Sequence, residues 1–116
     1  DYFDVLFCPH GVAMPEMLEN ECINEVMLEL KKSGIIRASA VSMHNDVARN
    51  LKKAHELNVY DIAMIAYNIG NYEYIDPIID QIYNDIGLIA MKSARITNIN
   101  QKHILYQKFL NLHKHL

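Results

Sequence analysis

Four short apolar segments recur along the chain at nearly even spacing, and this repeat constrains the fold more than any other feature of the sequence. The segments are YFDVLFC from Tyr2, IRASAVS from Ile36, IAMIAY from Ile62 and LIAMKS from Leu88, and their starts lie 34, 26 and 26 residues apart. Short continuous apolar runs are typical of strands that are covered on both faces, as in a parallel sheet. The sequence therefore predicts four parallel strands.

The first two segments between these runs carry apolar residues at the spacing of an α-helix. The first helix is predicted to end at Gly34, because a glycine that follows two lysines is a typical C-terminal signal. The second is predicted to begin at Asn45 or Asp46, either of which can act as the N-terminal cap. The two apolar stripes are Cys22, Ile23, Val26, Met27 and Leu30, and Val47, Ala48, Leu51 and Ala54.

A third helical segment lies between the third and fourth strands. Here Asp76 is expected to cap the helix, Pro77 to occupy its first turn and Gly87 to end it. Its apolar stripe consists of Ile75, Ile78, Ile79, Ile82 and Ile86. After the fourth strand, residues 101–113 are predicted to form a last helix.

Alternation of strands and helices at a spacing of about 26 residues is the pattern of α/β folds. Two architectures fit it: an open doubly wound sheet, and part of a (β/α)8 TIM barrel. A complete barrel takes about 250 residues, so four consecutive βα units correspond to half of one. We predict a partial barrel over residues 1–94, followed by a basic helical tail over residues 95–116.

Composition narrows the class of protein. A chain of 116 residues with 51% hydrophobic and 22% charged residues is expected to form one globular domain. No apolar run approaches the roughly 20 residues of a membrane span, and no signal peptide is recognisable, so we expect a cytoplasmic protein.

Cys8 and Cys22 are expected to be buried, reduced thiols. The last 24 residues carry four basic residues and no acid, which we interpret as a solvated helix face and not as a nucleic-acid site.

Ligands of both candidate architectures bind at the carboxyl ends of the strands. The segments at these positions hold His10, Ser42, Lys92, and the pair Tyr67 and Asn68. None of them contains a glycine-rich phosphate loop, which argues against a Rossmann or P-loop site. His113 and His115 are too close in sequence to share a helix face, and we expect no metal site.

Several of these segments together resemble the aldo-keto reductases. DYFDVLFCPHG, ELKKSGIIRASAVSMHN, VYDIAMIAYN and GLIAMKSA resemble the fourth to seventh βα units of that family, and the resemblance covers residues 1–94. It implies a (β/α)8 barrel that binds NADP(H) and reduces a small-molecule carbonyl by hydride transfer. It further implies that His10 polarises the carbonyl, that Ser42 holds the nicotinamide carboxamide, and that Asn45 and Tyr67 contribute to the cofactor site.

Some positions depart from the family pattern. Met43 follows the serine in place of an asparagine, Met64 replaces a glutamine, and Met91 with Lys92 replaces an aromatic residue. The resemblance places the family's tyrosine, aspartate and lysine on strands that would precede residue 1, and its phosphate loop after an eighth strand. We therefore expect the isolated chain to be inactive.

Half of a barrel would also expose surfaces that a closed barrel covers. We expect an inner sheet face that carries Val5, Phe7, Val41 and Met64 or their neighbours, and two open sheet edges. Either two copies of the chain associate through these edges, or a remainder of the polypeptide completes the barrel. Three functions remain open: part of an NADP(H)-dependent reductase, a non-catalytic binding or assembly module, and a flavodoxin-like domain. The loops offer no glycine or serine cluster for the third.

Overall fold

The computed structural model describes residues 1–94, so the predicted basic tail and its helix lie outside the described residues. Strands and helices alternate along the described part. Strand β1 (Phe3–Phe7) is followed by a short 3-10 helix (Pro15–Glu19), which the sequence pattern did not predict. The remaining elements are α1 (Glu21–Lys32), β2 (Ile36–Met43), α2 (Val47–Leu57), β3 (Ile62–Ala66), α3 (Tyr72–Ile82) and β4 (Gly87–Met91).

The four predicted strands form one parallel sheet, and its strand order is β1-β2-β3-β4. The α/β class and the parallel sheet are thus confirmed. Spatial order follows chain order without a reversal among these strands. Because crossovers between parallel strands are almost always right-handed, such an order places successive helices on the same face of the sheet.

The hydrophobic core lies between the sheet and this layer of helices. Val41, Ala63 and Leu88 pair in register across β2, β3 and β4, so their side chains point to the same face. Val41 and Ala63 belong to the buried cluster that also includes Met27 of α1 and Leu51 of α2, and the partly buried Leu88 packs against it. Most residues of the apolar stripes read from the sequence therefore pack against one face of the sheet, but Cys22 and Val26 of α1 are exposed.

The predicted end of α1 is confirmed in detail. Gly34 has a φ of 80°, in the left-handed region that favours glycine. Its N–H donates to the Lys31 carbonyl at 3.1 Å, and the N–H of Ile35 donates to the Leu30 carbonyl at 3.1 Å. This pair of bonds is a Schellman motif, which satisfies the last carbonyls of the helix.

The bounds predicted for the third helix are wrong. Helix α3 begins at Tyr72 after Asn71 and ends at Ile82, so Pro77 lies within it and Gly87 is the first residue of β4. Asp76 does not cap the helix. The turn that starts α3 is instead made by amides, with Gly70 N–H donating to Asn68 Oδ1 at 2.8 Å and the Tyr72 N–H donating to the Asn68 carbonyl at 3.0 Å.

The sheet face opposite the helices is apolar and partly exposed. We call it the open face. Phe3 is 68% exposed, Val5 40%, Phe7 38% and Ile89 43%. Together with these four, the register places on this face Ile36, Ala38, Ala40, Ser42, Ile62, Met64, Ala66, Gly87 and Met91.

Two expectations about burial need correction. Val41 was expected on the inner face, but it alternates with Ser42 and lies in the core under the helices. Cys22 was expected to be buried, but it lies exposed on α1, whereas Cys8 is buried. Both cysteines are free thiols.

Candidate functional site

The residues singled out lie at or just beyond the ends of three successive strands, at the carboxyl edge of the sheet. His10 is in the turn after β1, Ser42 is the penultimate residue of β2, and Tyr67 directly follows β3. Asn45 lies in the exposed turn between β2 and α2. Neighbouring parallel strands bring these turns to one edge, where ligands of α/β proteins bind.

The turn that carries His10 is held against the end of β2. The N–H of Val12 donates to the Ser42 carbonyl at 2.9 Å, and Val12 forms an isolated parallel bridge with Met43. Gly11 runs beside the Ser42 side chain, since a Cβ on this glycine would lie 3.7 Å from Ser42 Oγ. The structure thus brings the His10 segment and Ser42 together.

The hydrogen bond of His10 restricts the chemistry of its ring. Nδ1 lies 3.2 Å from the Gly11 carbonyl oxygen, and a carbonyl can only accept, so this contact requires the proton on Nδ1. A neutral ring then presents the lone pair of Nε2 outward. His10 can donate a second hydrogen bond through Nε2 only as an imidazolium, or as the other tautomer after the Gly11 contact is broken.

Tyr67 is directed toward the helix layer and away from Ser42. Its hydroxyl donates to the Asp76 carboxylate of α3 at 2.5 Å, and its backbone N–H donates to the Met91 carbonyl at 3.1 Å. Partial burial, and then the hydrogen bond to Asp76, raise the pKa of Tyr67 to about 12. The phenol is therefore protonated at neutral pH, and its hydroxyl is already engaged.

The backbone of Asn45 supports the start of α2. Its carbonyl accepts a hydrogen bond from the buried Asn50 side-chain amide at 2.8 Å. The other amide atom of that side chain, Asn50 Oδ1, is buried without a hydrogen-bond partner among the described residues. Asn45 itself is exposed. Among residues 1–94, no hydrogen bond or ion pair joins Asn45 to Ser42.

Sequence reasoning missed two features of this edge. Val12 and Gly11 fix the position of the His10 turn, and the only signal for them was a glycine next to the histidine. Lys92, which follows β4, is exposed and has a φ of 56°. A non-glycine residue in the left-handed region is uncommon, and sequence alone gives no warning of it here.

A second polar region lies near the amino ends of the strands, away from these turns. It is a cleft of about 460 Å³ lined by polar residues that include His55, Asp61 and Asp85. Its polar groups contact one another: Lys31 Nζ lies 3.2 Å from Asp61, and His55 Nε2 lies 2.8 Å from Asp85. We assign this region to the stability of the fold.

Comparison with family models, with curated proteins and with solved structures finds no match for this chain. Within residues 1–94, three or more histidine, cysteine, aspartate or glutamate side chains do not converge anywhere as a metal site. None of the helices over the same residues combines the length and the apolar character that crossing a bilayer demands.

Proposed function

We propose that these residues form an arc of an aldo-keto reductase-like (β/α)8 barrel, from an oxidoreductase that reduces carbonyl compounds with NADP(H) in the cytoplasm. The observation that carries the proposal is the joining of the His10 turn to the end of β2 at Ser42. The sequential order of the parallel strands, with helices on one face, supports a barrel over a doubly wound sheet, whose strand order reverses.

In this proposal each strand-end residue has a separate role. His10 donates a hydrogen bond through Nε2 to the substrate carbonyl and stabilises the negative charge that develops on its oxygen. The Ser42 hydroxyl binds the nicotinamide carboxamide. Asn45 and Tyr67 border the cofactor, with Tyr67 acting through its ring, because its hydroxyl is bound to Asp76. When bound, NADPH supplies the hydride.

The test measures cofactor binding and turnover separately. NADPH and NADH are titrated into the 116-residue chain and into the natural polypeptide that carries it, and carbonyl reduction is followed by the loss of NADPH. We expect binding with a preference for NADPH, and turnover by the natural polypeptide but not by the isolated chain. No detectable NADPH binding by either protein would remove the reductase proposal.

Variants of the natural polypeptide assign the roles. Ser42→Ala should weaken NADPH binding about 3- to 10-fold, the loss of one hydrogen bond. His10→Gln should lower kcat about 100-fold and leave NADPH binding intact. His44→Gln, in the exposed turn beyond Ser42, is the matched control and should change neither quantity.

The second candidate is a non-catalytic binding or assembly module that keeps this fold. The apolar, exposed open face favours it, because exposed apolar surface of this kind marks interaction sites. A protein that binds neither nicotinamide cofactor but associates through this face would fit the second candidate.

A further inference from the structure

The open face carries no charged side chain. Its members are Phe3, Val5, Phe7, Ile36, Ala38, Ala40, Ser42, Ile62, Met64, Ala66, Gly87, Ile89 and Met91. Of these, Ile36, Ala40 and Ala66 are buried. The two outer strands contribute the most exposed of them, with Phe3 and Ile89 at 68% and 43%. Sheet faces that contact water normally carry polar residues. This face therefore has the composition of a surface that is covered by another apolar surface.

The two outer strands also have unpaired edges within residues 1–94, since β1 pairs only with β2 and β4 only with β3. The N–H groups of Phe3 and Gly87 donate inward, to the carbonyls of Ile35 and Asp61 at 2.8 Å each. Backbone N–H groups of a strand point alternately to its two sides, so those of Leu6 and Leu88 point to the free edges. Each edge can therefore receive one further parallel strand.

The two edges suit each other. Strands β1 and β4 have five residues each, and both run parallel in one sheet. A two-fold axis that runs parallel to the strands, in front of the centre of the open face, would place β1 of each copy beside β4 of the other. Two copies would then supply eight strands, the number at which a closed barrel is just filled by its inward side chains.

We propose that two copies of this chain associate with two-fold symmetry, pairing β1 with β4 at both edges and enclosing the two open faces as the interior of one eight-stranded barrel. This closure removes both free edges and buries the exposed apolar residues together. It also brings His10 and Ser42 of both copies to one mouth. The proposal rests on the geometry of the sheet and not on nicotinamide binding, so the two can fail independently.

The first measurement is the mass of the 116-residue chain in solution, by native mass spectrometry and by light scattering over a range of concentrations. We expect a species of twice the 13.4 kDa chain mass. A monomer at every concentration would overturn the proposal. A trimer or an open-ended series of larger species would also overturn it.

Ile89→Lys and Leu28→Lys are a matched pair of variants. The two side chains are 43% and 45% exposed, but Ile89 lies on the open face and Leu28 on α1. Ile89→Lys should yield a folded monomer with an unchanged far-ultraviolet spectrum, and Leu28→Lys should remain a dimer. Dissociation by Leu28→Lys and not by Ile89→Lys would place the interface elsewhere and refute the proposal.

Amide hydrogen exchange on the unmodified chain tests the edges without any variant. The amides of Leu6 and Leu88 should exchange slowly where the dimer dominates and at least about 10-fold faster after dilution to monomer. A dimer that leaves both amides unprotected would show that its strands do not pair, and would overturn the barrel closure even if the Ile89 variant did not fold.

Discussion

Asp61 is expected to stabilise the fold more than its partly exposed position suggests. Its carboxylate accepts a hydrogen bond from the backbone N–H of buried Ser39 at 2.9 Å and lies 3.2 Å from Lys31 Nζ. The Lys31 ammonium also donates to the Val59 carbonyl at 2.7 Å. One carboxylate therefore joins the middle of β2, the end of α1 and the start of β3.

The size of the effect follows from what each partner loses in an Asp61→Ala variant. The Ser39 N–H would be buried without an acceptor, at a cost of about 1–3 kcal/mol. Lys31 would keep the Val59 carbonyl, so the loss of the half-exposed ion pair adds about 0–1 kcal/mol. We expect a total of about 1–4 kcal/mol. With a urea m-value of about 2 kcal/mol/M, the midpoint should fall by about 0.5–2 M.

The assay is urea unfolding followed by circular dichroism, with two control variants. Asp61→Asn keeps an oxygen acceptor for the Ser39 N–H and should cost less than about 1 kcal/mol. Asp85→Ala removes the acidic partner of His55 from an exposed ion pair and should also cost about 1 kcal/mol or less. If Asp61→Ala destabilised the chain no more than Asp85→Ala, the Ser39 hydrogen bond would not carry the stability assigned to it.

Three further changes test other parts of the structure. Gly34→Ala should lower the free energy of unfolding by about 1–2 kcal/mol in thermal melts, because the left-handed φ of 80° is retained and the site is otherwise open; an unchanged melting temperature would contradict this. Leu18→Ala should cost about 2–5 kcal/mol, since this side chain of the 3-10 helix is 2% exposed; a cost near zero would show that the helix does not pack on α2. Burial and the Asp76 hydrogen bond raise the pKa of Tyr67 to about 12, above its unfolded value near 10, so the stability that it contributes is present below pH 10 and is lost as the pH rises from 10 to 12. The unfolding free energy should therefore fall less steeply over that pH window in Tyr67→Phe than in the unmodified chain. The pKa of Tyr60 is also raised, by burial and by a hydrogen bond with Cys8. Because Tyr60 is present in both proteins, its contribution cancels in the comparison.

The strands were predictable because their signal does not depend on neighbours. Each lies in a mainly apolar segment bounded by polar turns, so hydrophobicity alone located it. The side of the sheet on which each side chain lies was less predictable. Val41 and Ser42 differ by one position, and only the register with Ala63 and Met64 shows which of them lies under the helices.

The start of α3 was mispredicted for a physical reason. Pro77 and the preceding Asp76 form a typical helix start, but the asparagine turn five residues earlier satisfies the first backbone groups more completely. The Asn71 side chain holds this turn against the end of β3. Its Oδ1 accepts a hydrogen bond from the N–H of Asn68 at 2.8 Å, and its Nδ2 donates to the Ala66 carbonyl at 2.8 Å. Asp76 is thereby left to accept the Tyr67 hydroxyl, a pairing that crosses from strand end to helix.

The two ends of the sheet use their polar groups differently, and this difference bears on where function is to be sought. At the amino ends, the Asp61 carboxylate is occupied by donors from β2 and α1, which fixes strands and helix to each other. At the carboxyl ends of β1 and β2, the backbone makes the structural bonds, as between Val12 and Ser42. The Ser42 hydroxyl makes no hydrogen bond within residues 1–94, and the outer ring nitrogen of His10 is likewise not bonded there. Side chains that the fold does not need for its own stability are those that a ligand can use, so the carboxyl edge remains the place to test for binding whether the chain acts as a reductase arc or as an assembly module.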